Sequence, residues 1–239
     1  WLILGAKHIV QKRYGDDAVV YIHTDGVNTN CDIDVEWIND ELRNAMTSLF
    51  PLSESEWISV DKDEFTEGIW IAIGNYVLRN LDGSLTKHGS TFKSRSRSPF
   101  YVKVLNKLID ARLDNKVNQD FIKDLYDFEN YEVDDFLQSR TMNQNIADYK
   151  NENDLVVQLA TKAKAEGQKV KIGSSFYYYK TNGGVELEGN VDSIDDIDIK
   201  YHWNIISNLL QKFQLNQWIN KKPPITALDR KQQSLLEFV

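Results

Sequence analysis

The chain has 239 residues, of which 41% are apolar and 27% charged, and this is an ordinary globular composition with ample length for a packed core. No apolar run approaches 18 residues, which excludes a helical membrane span, and a single cysteine, Cys31, excludes an internal disulfide framework or a cysteine-rich zinc site. The net charge of −8 speaks against nucleic acid only if charge is evenly spread along the chain, and it is not.

The opening residues, WLILGAKHIV, have the pattern of the middle of a helix, with no charged leader and no cleavage site. The chain is therefore expected to start inside a domain, as a fragment or as one part of a split enzyme. Tyr14 to Asp17 is a turn, and Ala18 to His23 is rich in β-branched residues and predicts a buried strand. Thr24-Asp25-Gly26 turns the chain into a second strand. Asp34 caps a helix to about Phe50, with Val35, Ile38, Leu42 and Met46 on one face, and Pro51 stops it. Trp57 to Val60 and Gly68 to Arg79 have strand patterns, and Asp82-Gly83 is a hairpin turn that pairs Thr86 to Phe92 back.

From Pro99 the period becomes helical through Leu113, with further helices near 117–129 and 152–166. Gly173 to Lys180 is a short aromatic strand. Asp198 caps a last helix to about Leu215, and Pro223-Pro224 ends the folded part. This order predicts an α+β fold: an antiparallel-sheet portion over 1–98, a mostly helical portion over 99–220 and a flexible tail over 221–239.

Charge is segregated. Lys87, Lys93, Arg95, Arg97, Lys103 and Lys107 form a basic run without an acid, and Thr181 to Ile199 carries six acids without a base. Arg95 and Arg97 alternate with serines, a composition suited to phosphate, because guanidinium forks phosphate oxygens and hydroxyls add neutral donors. The bland alternative is a solvated face. Asp25, at the tip of a buried strand, suits a Mg²⁺ ligand, against the plainer role of a hairpin turn. Asp61 and Asp63 alternate, so in a strand they share one face, where two carboxylates repel unless a cation is near.

These residues resemble, in order and spacing, the carboxy-terminal part of a family B DNA polymerase. AKHIVQKRYGDDAVVYIHTDGV is similar to the helix, turn and strand of that family's motif C, YxDTDS or YxDTDG, and WINDELRNAMTSLFPL to the helix after it. GIWIAIGNYVLRNLDGSLTKHGSTFKSRSRSPF resembles the stretch with the KKxY motif and the glycine–basic segment that follows. NDLVVQLATKAKAEGQKVKIGSSFYYY and IKYHWNIISNLLQKF resemble the thumb.

The resemblance implies a palm portion over 1–98 and a thumb over 99–220. By position it makes Asp25 a catalytic metal ligand and Asp63 and Asp61 an auxiliary acidic pair, with Asp63 also a ligand. Tyr76 becomes the residue that holds the primer strand. Gly89, Arg95 and Arg97 fall where the family contacts the template–primer backbone, with Lys87 and Lys93 in the same basic run and Arg140 a further phosphate candidate. The implied chemistry is two-metal, Mg²⁺-dependent transfer from a dNTP to a primer end on template DNA.

Three departures from the pattern stand out. His23 replaces the leading aspartate of motif C, Ile73 and Gly74 replace the lysines of KKxY, and the motif A aspartate and the fingers lysine would lie before Trp1. The isolated chain is thus expected to bind primed duplex without extending it, and to need an upstream polymerase chain. At the end, Gln232, Leu235 and Phe238 resemble the clamp-binding peptide Q-x-x-L-x-x-F-F, which implies a sliding clamp of the PCNA kind and an archaeal-type replisome, cytoplasmic in a prokaryote and nuclear in a eukaryote. A catalytically decayed DNA-binding and clamp-tethering subunit is the alternative. A metal-dependent nuclease would need a general base that the sequence does not place. Most of the tryptophans, the FYYY aromatics, His8 and His202 are expected to serve packing.

Overall fold

The computed structural model describes residues 2–22, 26–49, 62–93 and 97–220. The chain divides into two compact units, Trp1–Phe92 and Lys93–Val239. The architecture is α+β with antiparallel sheets. Among the described residues no helix is long and apolar enough to cross a membrane.

In the first unit, helix α1 (Leu2–Tyr14) buries Ala6 and Val10 against Ile38 and Leu42 of helix α2 (Val35–Leu49). Lys12 and Arg13 lie in the last turn of α1, where cations suit the carbonyl end of a helix. Gly15, at φ +98°, ends it. Strand β1 (Val19–Ile22) pairs antiparallel with β2 (Val27–Thr29), Ile22 opposite Val27. Asp34 caps α2 as its spacing predicts: its Oδ1 accepts from Trp37 N at 3.0 Å. Arg13 stacks over Trp37, 4.2 Å from the ring centre.

A three-stranded meander follows: β3 (Phe65–Ala72), β4 (Asn75–Asn80) and β5 (Leu85–His88). The single stretch Gly68 to Arg79 is a hairpin that turns at Ile73-Gly74, with Gly74 at φ +70°. Asp82-Gly83 makes the second turn, where Asp82 Oδ1 accepts from Ser84 N at 2.9 Å. The returning strand is shorter than expected. It ends at His88, and one helical turn, α3 (Ser90–Lys93), replaces its end because Gly89, at φ +105°, leaves the strand conformation.

In the second unit, helix α4 (Pro99–Leu113) starts with Ser98 as its cap and Pro99 at its first position, and buries Phe100, Val104, Leu105, Leu108 and Ile109. Helix α5 (Gln119–Leu125) is capped by Asn118. A sheet ordered β6 (Gln138–Thr141), β7 (Ser175–Thr181) and β8 (Gly184–Leu187) packs against helix α6 (Leu155–Ala165). Its core holds Met142, Leu159, Ala160, Phe176, Tyr178 and Leu187. Helix α7 (Ile199–Lys212) is capped by Asp198, whose Oδ1 accepts from Tyr201 N at 2.9 Å. The aromatic strand alternates only in part. Phe176 and Tyr178 are buried and Tyr177 is exposed, but Tyr179 is buried too, because its hydroxyl donates to Asp134 Oδ1 at 3.2 Å.

Candidate nucleic-acid interface

The best-built part of the first unit is the Ile73–Asn75 turn and the residues that hold it. Strand register sets Trp70 opposite Tyr76 and Tyr76 opposite His88, so three rings lie in a row across the sheet. The His88 imidazole stacks on Tyr76, with centroids 4.9 Å apart and planes 12° from parallel. Tyr21 of β1 adds a fourth ring, 5.9 Å from both Trp70 and Tyr76. Gly68 lets the Trp70 indole lie over the sheet: a Cβ there would sit 2.6 Å from it.

The same rings hold the turn through its backbone. Gly74 N donates to the Tyr21 hydroxyl at 2.6 Å. Gly74 O is 3.1 Å from His88 Nδ1, and since a carbonyl can only accept, that nitrogen carries the proton. Asn75 Oδ1 accepts from Thr91 N at 2.9 Å. Gly89 fits against this turn because it has no side chain. A Cβ would collide with Gly74 O and lie 2.5 Å from Asn75 Oδ1. Tyr76 and Gly89 are thus neighbours, joined by the pairing of β4 with β5.

The other candidates stand apart from this cluster. Lys87 is half-buried on β5, opposite Val77. Asp63 is exposed and lies before β3, in a stretch without regular structure, so the shared strand face expected for Asp61 and Asp63 does not hold at Asp63. Its neighbour Lys62 bridges Asp32 and Glu64, 2.7 Å from the latter. These two carboxylates raise the Lys62 pKa, Asp32 foremost. Asp25 and His23, Asp61, Arg95, and Gln232, Leu235 and Phe238 of the tail lie outside the described residues, as does the side chain of Lys93. Among the described residues no three Asp, Glu, His or Cys side chains converge as a metal site.

In the second unit, Arg97 stacks over Tyr101, 3.9 Å from the ring centre. Burial raises the Tyr101 pKa against the opposing pull of Arg97. Arg140 is exposed on β6 at the pair with Phe176. The basic run is less free than its sequence suggests. Lys103 pairs with the buried carboxylate of Asp135 at 2.7 Å, and Lys107 with Asp124 at 2.8 Å. The acids missing from the run come from 17 and 32 residues away. Trp203 packs beside Tyr126, with centroids 5.8 Å apart. His202 is fully buried among Phe100, Phe136 and Tyr201.

Tyr21, Trp70 and His88 did not stand out in the sequence. A signal was there for His88: folding the chain about the Asp82-Gly83 turn brings it opposite Tyr76.

No protein-family model matches the chain, and no curated protein matches it in sequence. Its fold is similar to that of a family B DNA polymerase from the hyperthermophilic archaeon Pyrobaculum calidifontis, with a TM-score of 0.51 over 76% of this chain at 16% identity. The match spans 24% of that polymerase chain. This is a distant structural relationship, and it concerns the fold.

Proposed function

We propose that the chain is the carboxy-terminal palm-and-thumb part of a DNA-directed DNA polymerase of the family B kind. In this reading it performs nucleotidyl transfer only together with residues from outside this sequence. The main support is that a single likeness to such a polymerase extends over 76% of the chain, which also carries the motif C, KKxY and thumb resemblances in their order. Tyr76 and Gly89, two positions implied to meet the primer–template, are also neighbours at the turn end of the three-stranded sheet.

Within this reading Tyr76 holds the primer strand and Gly89 lets the backbones approach. Lys87, Lys93, Arg95, Arg97 and Arg140 meet phosphates. Asp63 stands exposed beside a lysine, and no metal cluster forms among the described residues, so these alone do not make a Mg²⁺ site. Asp25 and ligands from elsewhere in the assembled enzyme would have to hold the two ions. When bound, these ions activate the primer hydroxyl and neutralise the leaving pyrophosphate.

The second reading, a catalytically decayed DNA-binding and clamp-tethering subunit, draws on the Ile73-Gly74 turn. Ile73 is 90% exposed there, where the resemblance calls for charge.

The test uses the 239-residue chain with a hairpin primer-template, followed by fluorescence anisotropy and primer extension. The chain should bind primed duplex, fail to extend it alone, and extend it when a polypeptide bearing motif A and the fingers is added. Asp25→Asn should then abolish synthesis. Failure of the complemented assembly even with His23→Asp would favour the decayed subunit. No preference for primed duplex over single strands would refute both readings. Removing residues 232–239 should abolish binding to a sliding clamp and leave affinity for short primed DNA unchanged.

A further inference from the structure

A two-residue hairpin turn needs only its own backbone bonds and a residue that accepts positive φ. The Ile73-Gly74 turn has more. Both backbone groups of Gly74 are bonded to side chains from other strands, Tyr21 on one side and His88 on the other, at 2.6 and 3.1 Å. The next residue, Asn75, is tied to Thr91 and packed on Gly89 too closely for any side chain there. Elements β1, β5 and α3 therefore converge on two residues, Gly74 and Asn75. A solvent-facing turn gains little from this unless the position of what it carries matters. What it carries is Ile73 at the tip and Tyr76 at the root, and His88 touches both ends of that arrangement: its ring lies on Tyr76 and its Nδ1 holds Gly74.

We infer that His88 is a positioning residue for the grip on primed DNA: it fixes the Tyr76 ring and the Gly74 turn in one geometry. The turn holds DNA by shape where its lysine-free sequence cannot hold it by charge. This rests on the polymerase reading above and adds a residue to that site. His88 acts through Tyr76 and makes no phosphate contact of its own, which separates it from the basic residues of the run.

The test measures binding of the full chain to the hairpin primer-template by anisotropy, across a potassium chloride series, for His88→Ala, His88→Phe, Tyr76→Ala and the double variant. His88→Ala should weaken binding about fivefold at every salt concentration, the scale of one lost aromatic contact. The slope of log affinity against log salt should not change, whereas a lost phosphate contact would lower it by about 0.9. His88→Phe, which keeps the stack and loses the Gly74 bond, should recover part of the loss. His88→Ala in the Tyr76→Ala background should cost nothing further. His88→Phe also serves as the folded control, with amide hydrogen exchange at Gly74 reporting whether the turn has loosened.

If His88→Ala binds as the unsubstituted chain does, if its salt slope falls by about one phosphate, or if the two alanine effects add, the assignment is overturned while the polymerase reading stands. If the unsubstituted chain shows no preference for primed duplex, the polymerase reading fails and the assignment fails with it.

Discussion

His202 makes acid stability a direct probe of the second unit. It is 0% exposed, and neither ring nitrogen has a hydrogen-bond partner. Its surroundings are the edges and faces of Phe100, Phe136 and Tyr201, with centroids at 5.2, 4.7 and 5.0 Å. Nothing there stabilises an imidazolium, and burial lowers the pKa from 6.5 to about 3. The native state therefore keeps the ring neutral between pH 6.5 and 3, while the unfolded chain takes up a proton as the pH falls through 6.5. Stability falls wherever the unfolded state binds more protons, so it declines below pH 6.5 with a limiting slope of about 1.4 kcal/mol per pH unit.

Between pH 7 and pH 5 the loss is about 2 kcal/mol, or roughly 6 °C in midpoint for a unit of this size. The measurement is urea unfolding at pH 7, 6 and 5, read at a fluorine-labelled Trp203, one residue away in the same helix. His202→Leu removes the proton site with a residue of helical propensity and comparable bulk. It should flatten the part of the pH slope that this histidine supplies. It should also cost little at pH 7, because it replaces two unsatisfied polar nitrogens with apolar surface. Equal slopes for the two proteins between pH 6.5 and 5 would refute the reasoning.

Two further expectations follow from the geometry. Gly89→Ala should destabilise the first unit by at least about 2 kcal/mol, because the new methyl collides with Gly74 O at a backbone angle that alanine resists; urea unfolding followed at Trp70 checks it, and a change under about 0.5 kcal/mol would contradict it. On the proposed DNA-binding reading, Lys103 and Lys107 should add nothing to the salt dependence, since they are spent on Asp135 and Asp124; Lys103→Met should leave the slope of log affinity against log salt as it is, where a lost phosphate contact would lower it by about 0.9.

Helix starts were legible in the sequence, because a cap is local chemistry. Asp34 and Asp198 each bond a backbone amide three residues on, and no tertiary contact is needed to see it. The Asp82-Gly83 turn was legible for the same reason. Strands β6 and β8 were not. Gln138-Ser-Arg-Thr141 has no apolar alternation, and β8 opens on Gly184, so both exist through pairing with the aromatic β7 between them. The candidate site divides along the same line. Tyr76 and Gly89 were singled out only by the family resemblance, and the partners that fix them, Tyr21, His88 and Thr91, sit 53, 14 and 16 residues from the turn residues they bond. The reading of the basic run missed in the same way, since local composition says nothing of carboxylates that arrive from other segments.

That difference bears on how the chain could hold DNA at all. A grip built from lysines tolerates loose placement, because a charge acts over a Debye length of about 10 Å. A grip built from a ring and a backbone turn works only at contact distance, and fractions of an ångström count. The turn of the first unit carries no charge at Ile73 and Gly74, and it is held from β1, β5 and α3 at once. On the proposed reading an uncharged turn must be fixed to contribute, since an uncharged contact surface left mobile would add little to affinity. The opposite arrangement holds in the second unit. There α4 keeps its lysines but commits them to Asp135 and Asp124, where they serve the fold.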